Sequence, residues 1–130
     1  RALALSNLTF HGAVPFRDIS GLYARARVFV NTSDIEGFPN TYLQAWASGT
    51  PVVAYFDPDD VIEREGLGVA VATPQEMHDA VASLARDPQA WAAASARCRA
   101  YVERHFSERR VLEPYEQVLG TQDPSARPSR

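Results

Sequence analysis

Cysteine is nearly missing from this chain: Cys98 stands alone, which rules out an intramolecular disulfide. No apolar run approaches the roughly 18 residues that a membrane-spanning helix needs. The amino terminus lacks a basic region followed by an apolar core, so it does not read as a secretory signal. Met77 is the only methionine and Arg1 the first residue, which reads as a cut end rather than a translation start. The 13 basic and 16 acidic residues give a formal charge of −3 and form neither a basic stripe nor a block of one sign. That argues against nucleic acid as a partner and against a charged tail. No His or Cys pair stands at zinc-ligand spacing, and there is no Gly-x-Ser-x-Gly elbow, so neither a metal site nor a serine nucleophile is expected. Internal repeats are absent as well. What remains is a cytoplasmic protein of a reducing compartment, with 130 residues to bury a core unaided.

What is present alternates between two periodicities. Leu8 and Phe10 alternate with polar neighbours in NLTFHG, residues 7–12, which predicts a strand ended by Gly12. Ile19, Leu22, Tyr23 and Ala26 then repeat as one face of a helix, and Val28, Phe29 and Val30 form an unbroken apolar run, expected to be a strand buried on both faces. A helix over 39–48 leads into the strand PVVAYF, and GVAVA at 68–72 is a weaker strand. Met77, Ala80, Val81 and Leu84 mark an amphipathic helix. In the longer helix that follows, Trp91, Ala94, Cys98, Tyr101 and His105 fall on one stripe. Ser107 is placed to cap a last helix reaching Leu119, with a kink at Pro114, and residues 121–130 should be a disordered tail. Strands alternating with helices argue for an α/β protein, a Rossmann-like three-layer α/β/α sandwich around a parallel sheet. About four strands are legible where doubly wound sheets have about five or six, so the sheet reads as lacking its beginning.

In such sheets ligands lie beyond the carboxyl ends of the strands. NTSDIEGFPN, which follows one strand and precedes one helix, is the best site candidate. Gly37 permits a close backbone approach. Pro39 suits the first helical position. The amides of Asn40 and Thr41 would then point out of a helix end that favours phosphate. On the helix itself, Thr41, Gln44 and Ser48 should share one side, with Leu43, Trp46 and Ala47 toward the sheet. Glu36 would overhang the ligand from the loop, where a carboxylate can accept two sugar hydroxyls. The bland reading stays open at this point: a solvated loop acid, a surface glutamine and ordinary helix punctuation.

The stretch TSDIEGFPNTYLQAWASGTPVVA resembles the signature of retaining, nucleotide-sugar-dependent glycosyltransferases of family four, the group 1 glycosyltransferases. Ser33, Glu36, Gly37, Phe38, Leu43, Ala45, Gly49, Pro51, Val52 and Val53 match its pattern, and the similarity extends over residues 7–119. The resemblance implies the carboxy-terminal domain of a GT-B enzyme over residues 1–120, lacking its first strands, with a nucleotide-diphosphate sugar as donor substrate and no cofactor. By the same resemblance Glu36 is the catalytic-site acid on the transferred sugar, Gln44 lies at the ribose, Gly37, Phe38, Pro39, Asn40 and Thr41 cradle diphosphate and sugar, and Gly12 to Val14 lies beside the base. Gln44 stands where the family has a second acid, so a hydrogen bond persists without its charge-assisted strength. Arg27 stands where an Asp often precedes the strand, expected to be a surface change.

The family's diphosphate-binding Arg and Lys and its acceptor domain do not precede Arg1. The implied partner is therefore an amino-terminal acceptor-binding domain of the same enzyme, through which peripheral association with the inner face of a membrane would occur. The chain alone is expected to be inactive. A non-catalytic nucleotide- or partner-binding module is the alternative.

Other residues receive plainer readings. His11 has no nucleophile or carboxylate paired with it, and His78 and His105 read as surface and packing residues. The Ser33 hydroxyl should fix its loop. The acids of FDPDD read as a turn in which Asp59 or Asp60 caps a short helix over VIERE. Trp46 and Trp91 are assigned to the core, and Cys98 should be buried and inert.

Overall fold

The computed structural model describes residues 5–35 and 39–107. Helix α1 (Phe16–Arg25) leads to strand β1 (Phe29–Asn31), helix α2 (Asn40–Ala47) and strand β2 (Val52–Ala54). A 3₁₀ turn (Pro58–Asp60) and helix α3 (Val61–Glu65) connect to strand β3 (Gly68–Ala70), and helices α4 (Pro74–Arg86) and α5 (Pro88–Phe106) come after it. The described strands form one three-stranded sheet in the order β1-β2-β3, parallel throughout. Val53 is paired with Val30 on one side and Val69 on the other.

Alternation along β2 sorts the core into two. Val52 and Ala54 face α1, α2, α3 and α5, packing with Tyr23, Tyr42, Ala45, Trp46, Val61, Ile62, Leu67, Cys98 and Tyr101. Val53 faces the other way, into Val71, Met77 and Leu84 beneath α4. All three residues of β2 are fully buried, as a strand covered on both faces should be. This is the expected α/β layer arrangement.

Local chemistry sets the helix ends. The Thr73 hydroxyl accepts from the Glu76 amide at 3.2 Å. The Glu76 carboxylate in turn accepts from the Ala72 amide at 2.8 Å, so the start of α4 is capped reciprocally. Asp87 accepts from the amides of Gln89 and Ala90, both at 3.0 Å, ahead of Pro88, which fits the first helical position of α5. Gly49 closes α2 in the left-handed region at φ 75°, its amide on the Trp46 carbonyl at 2.9 Å, a common helix stop for glycine.

Several expectations are corrected. Residues 7–12 form no strand: Leu8 and Phe10 are 65% and 92% exposed, and no strand lies beside them among the described residues. Alternation makes a segment able to pair, but a strand with no neighbour has nothing to satisfy its backbone. Val30 is 41% exposed rather than buried, because α4 covers the middle of the sheet and not this edge. Pro39 is the N-cap of α2, with extended backbone, and not its first helical residue. The buried stripe of α2 is Tyr42, Ala45 and Trp46, with Leu43 partly packed, whereas Ala47 is exposed. The helix lies against α5 as well as the sheet side, which rotates its inward face away from the position expected. Asp60 occupies the N-cap position of α3 as expected, but neither its side chain nor that of Asp59 makes the capping bond; the Asp57 carboxylate does, accepting from the amides of Ile62 at 2.7 Å and Glu63 at 3.2 Å. Asp59 and Asp60 cannot do so because both sit at positive φ, 53° and 55°, in the turn that Asp57 spans.

Trp46 is fully buried, with its indole N–H on the Leu67 carbonyl at 3.2 Å. Trp91 is only half-buried. Its indole N–H donates to the Arg27 carbonyl at 2.7 Å. The Arg27 guanidinium lies 4.7 Å from the centre of its ring, within cation–π reach. Arg27 is an exposed residue, yet it binds the start of α5 to the approach to β1. His78 is exposed beside Asp79, and His105, also exposed, has its ring 4.6 Å from that of Tyr101. The last helix from Ser107 to Leu119, the kink at Pro114 and the tail at 121–130 lie outside the described residues.

Candidate functional site

Parallel register brings the ends of β1, β2 and β3 to one edge of the sheet, where ligands of open α/β sheets bind. Asn31 ends β1 and organises the loop beyond it. Its side-chain carbonyl accepts from the Ser33 amide at 2.8 Å, and its main-chain carbonyl accepts from the Tyr55 amide at 3.4 Å. The loop after β1 is thus fixed by Asn31, not by the Ser33 hydroxyl as expected. Glu36, Gly37 and Phe38 lie outside the described residues.

Beyond them Pro39 is buried and α2 begins. No side chain caps it, no acid stands in its first turn, and the amides of Asn40 and Thr41 have no acceptor among the described residues. An eight-residue helix therefore presents bare amides at the carboxyl edge of the sheet, a ready position for an anion. The helix is firmly seated. The Tyr42 hydroxyl donates to the Phe56 carbonyl at 3.0 Å, and Thr50, just beyond the helix, donates to the Tyr23 carbonyl at 2.7 Å. Tyr42 and Trp46 meet edge to face at 5.7 Å, and Trp46 meets Tyr101 likewise at 5.6 Å, the arrangement that ring quadrupoles favour. Asn40 is exposed, and Thr41 and Gln44 are half-buried on the same short helix.

Gly12 and Val14 precede α1. Gly12 turns at φ 63°, and both residues line an apolar groove of about 360 Å³ with Ile19, Leu22, Tyr23 and Phe29. A different hollow, of about 270 Å³, lies at the strand ends and is lined by Asp34, Tyr55, Val71 and Ala72. Sequence reading passed over Asp34 and Tyr55. The only signal available was their position, each just past the end of a parallel strand.

Cys98 is the one cysteine available as a nucleophile. Burial pushes the Cys98 thiol up to about 12, so it stays protonated near neutral pH. Among the described residues no three His, Cys, Asp or Glu side chains converge as metal ligands, and no helix is long and apolar enough to cross a membrane.

Residues 1–87 match the family model described as glycosyl transferases group 1. Over 111 residues, 78% of this chain and 29% of the other, the sequence is 31% identical to a GDP-mannose-dependent monoacylated alpha-(1-6)-phosphatidylinositol monomannoside mannosyltransferase of Corynebacterium glutamicum. The chain therefore corresponds to less than a third of that relative's length. No solved structure matches it.

Proposed function

The chain belongs to the group 1 glycosyl transferases, and from that premise we propose that it forms the donor-binding portion of a retaining enzyme that moves a hexose from a nucleotide-diphosphate sugar to an acceptor. The observation that carries the reading is the uncapped start of α2 at the carboxyl edge of the sheet. In this proposal the donor diphosphate rests on the amides of Asn40 and Thr41, Gln44 bonds the ribose, Gly37, Phe38 and Pro39 shape the cradle, and Glu36 holds hydroxyls of the transferred sugar. Ser33 belongs to the loop that brings Glu36 there, and Gly12 and Val14 are assigned to the base side.

During transfer the bond between the anomeric carbon and the diphosphate oxygen breaks, and one from the acceptor oxygen forms. Negative charge collects on the leaving diphosphate, whose freed oxygen takes the proton that the acceptor hydroxyl gives up. Fixed amides at a helix end stabilise that charge without reorganising, which is why no metal is assigned to the step. The relative's name specifies GDP-mannose as its donor and a phosphatidylinositol mannoside as its substrate. GDP-mannose is accordingly the first donor to test, and a lipid-borne acceptor, presented at a membrane surface by a second domain of the enzyme, is the proposed partner.

Calorimetric titration of the chain with GDP, UDP and GDP-mannose tests donor binding. Binding of one diphosphate is expected. Gln44→Glu should tighten it about fivefold, since a hydroxyl bonded to a carboxylate contributes more than one bonded to an amide. No heat with any of the three would remove the donor role. In the full-length enzyme, Glu36→Gln should lower kcat by about a hundredfold or more, and unchanged turnover would take Glu36 out of the mechanism.

A further inference from the structure

We propose that the hollow between Asp34 and Tyr55 is a monosaccharide subsite that grips the hexose ring of the donor, a refinement that rests on the donor-binding reading above. Its lining comes from the ends of all three strands: Asp34 after β1, Tyr55 after β2, Val71 and Ala72 after β3. About 270 Å³ holds about nine waters at ~30 Å³ each, below the range of pockets that enclose drug-sized ligands. It suits a single ring.

The polar groups in it are selective. The amides of Tyr55, Val71 and Ala72 are already taken, by the carbonyls of Asn31 and Ala54 and by the Glu76 carboxylate. Neither the Asp34 carboxylate nor the Tyr55 hydroxyl bonds to another described residue. A carboxylate offers only acceptors and a phenol offers both a donor and an acceptor, which together match the neighbouring hydroxyls of a sugar. Tyr55 is half-buried, its body packed on the core beneath α4, so its ring is a fixed apolar wall against which the C–H face of a pyranose can lie. Asn31 holds both walls in register, through its side chain to the Asp34 loop and through its main chain to Tyr55. A lone carboxylate without other ligands does not make a cation site, and among the described residues no basic side chain lines the hollow to attract a phosphate. Asp34 also stands two positions before Glu36, on the loop assigned to the sugar.

The test compares Asp34→Asn and Tyr55→Phe with the unaltered chain, titrated with GDP and with GDP-mannose. Asp34→Asn should weaken GDP-mannose about tenfold and Tyr55→Phe about threefold, with the affinity for GDP unchanged; that GDP affinity also reports an intact fold. Equal losses for both ligands would overturn the proposal by giving the hollow to the nucleotide, base included. Unchanged affinities for both would overturn it too, while leaving donor binding in place. If neither nucleotide binds, the donor reading fails. The hollow is then judged by titrating methyl α-mannoside while observing the Tyr55 ring protons by NMR: saturable shifts lost in Asp34→Asn sustain a sugar site, and their absence sinks it.

Discussion

Two glycines show how differently similar-looking positions constrain a side chain. Gly68 opens β3 at φ 153°, and a Cβ there would collide with the Val52 carbonyl oxygen, inside the ladder that joins β2 to β3. Gly49 sits at φ 75°, and a Cβ there would meet Nε of Arg99. In the first case the obstacle is backbone in the central strand; in the second it is side chains only, the exposed Arg99, which donates to the Ser48 carbonyl at 3.0 Å, and the Oγ of buried Ser95. Gly68→Ala should therefore cost about 4 kcal/mol or prevent folding, whereas Gly49→Ala should cost about 2 kcal/mol, from strained backbone and crowding at Ser95. Urea denaturation of the two variants checks the order, and equal midpoints would contradict the geometry.

The connection between β2 and α3 concentrates three acids, and only one of them holds a helix. Asp57 accepts two amides at the start of α3, while Asp59 and Asp60 occupy left-handed backbone that aspartate tolerates better than most residues. Asp57→Ala is expected to lower stability by about 1 to 2 kcal/mol, and Asp60→Ala to act through strained backbone alone, without loss of a cap. Thermal melts of both variants decide whether the cap belongs to Asp57. The same loop marks where sequence reading succeeds and fails. Helices α4 and α5 were legible because their signal, a long apolar repeat, is local. The family motif likewise marked the start of α2. The strand expected at 7–12 failed because alternation says nothing about whether a neighbouring strand exists. The inward face of α2 was misplaced because two layers cover that helix and a periodicity argument assumes one. Asp34 and Tyr55 could not be joined from sequence, since it is parallel pairing of distant strands that brings their loops together.

Across the molecule the helices α1, α2, α3 and α5 share one core with β2, and Cys98 sits in the middle of it, fully buried. Its thiol packs 3.6 Å from the Leu67 carbonyl, on the strand-side segment that also receives the Trp46 indole. Desolvation raises its pKa to about 12 against a partly offsetting influence of Arg97 and Arg99. In the unfolded chain the thiol titrates near about 8.5. Because the folded value is the higher one, the neutral thiol's contribution to stability is fully present below that unfolded value. It declines as pH rises through about 9 toward about 12. Cys98 is thus a built-in reporter of opening of the core that α5 shares with β2. Labelling with a thiol reagent at pH 8 should be slow in the native chain and complete within mixing time in concentrated urea. Its rate should fall in step with the population of the unfolded form as urea is withdrawn. A native-state reaction as fast as that of a free thiol would mean that α5 lifts from α2 independently of the sheet, and that the seat of the candidate site is far less rigid than its aromatic packing implies.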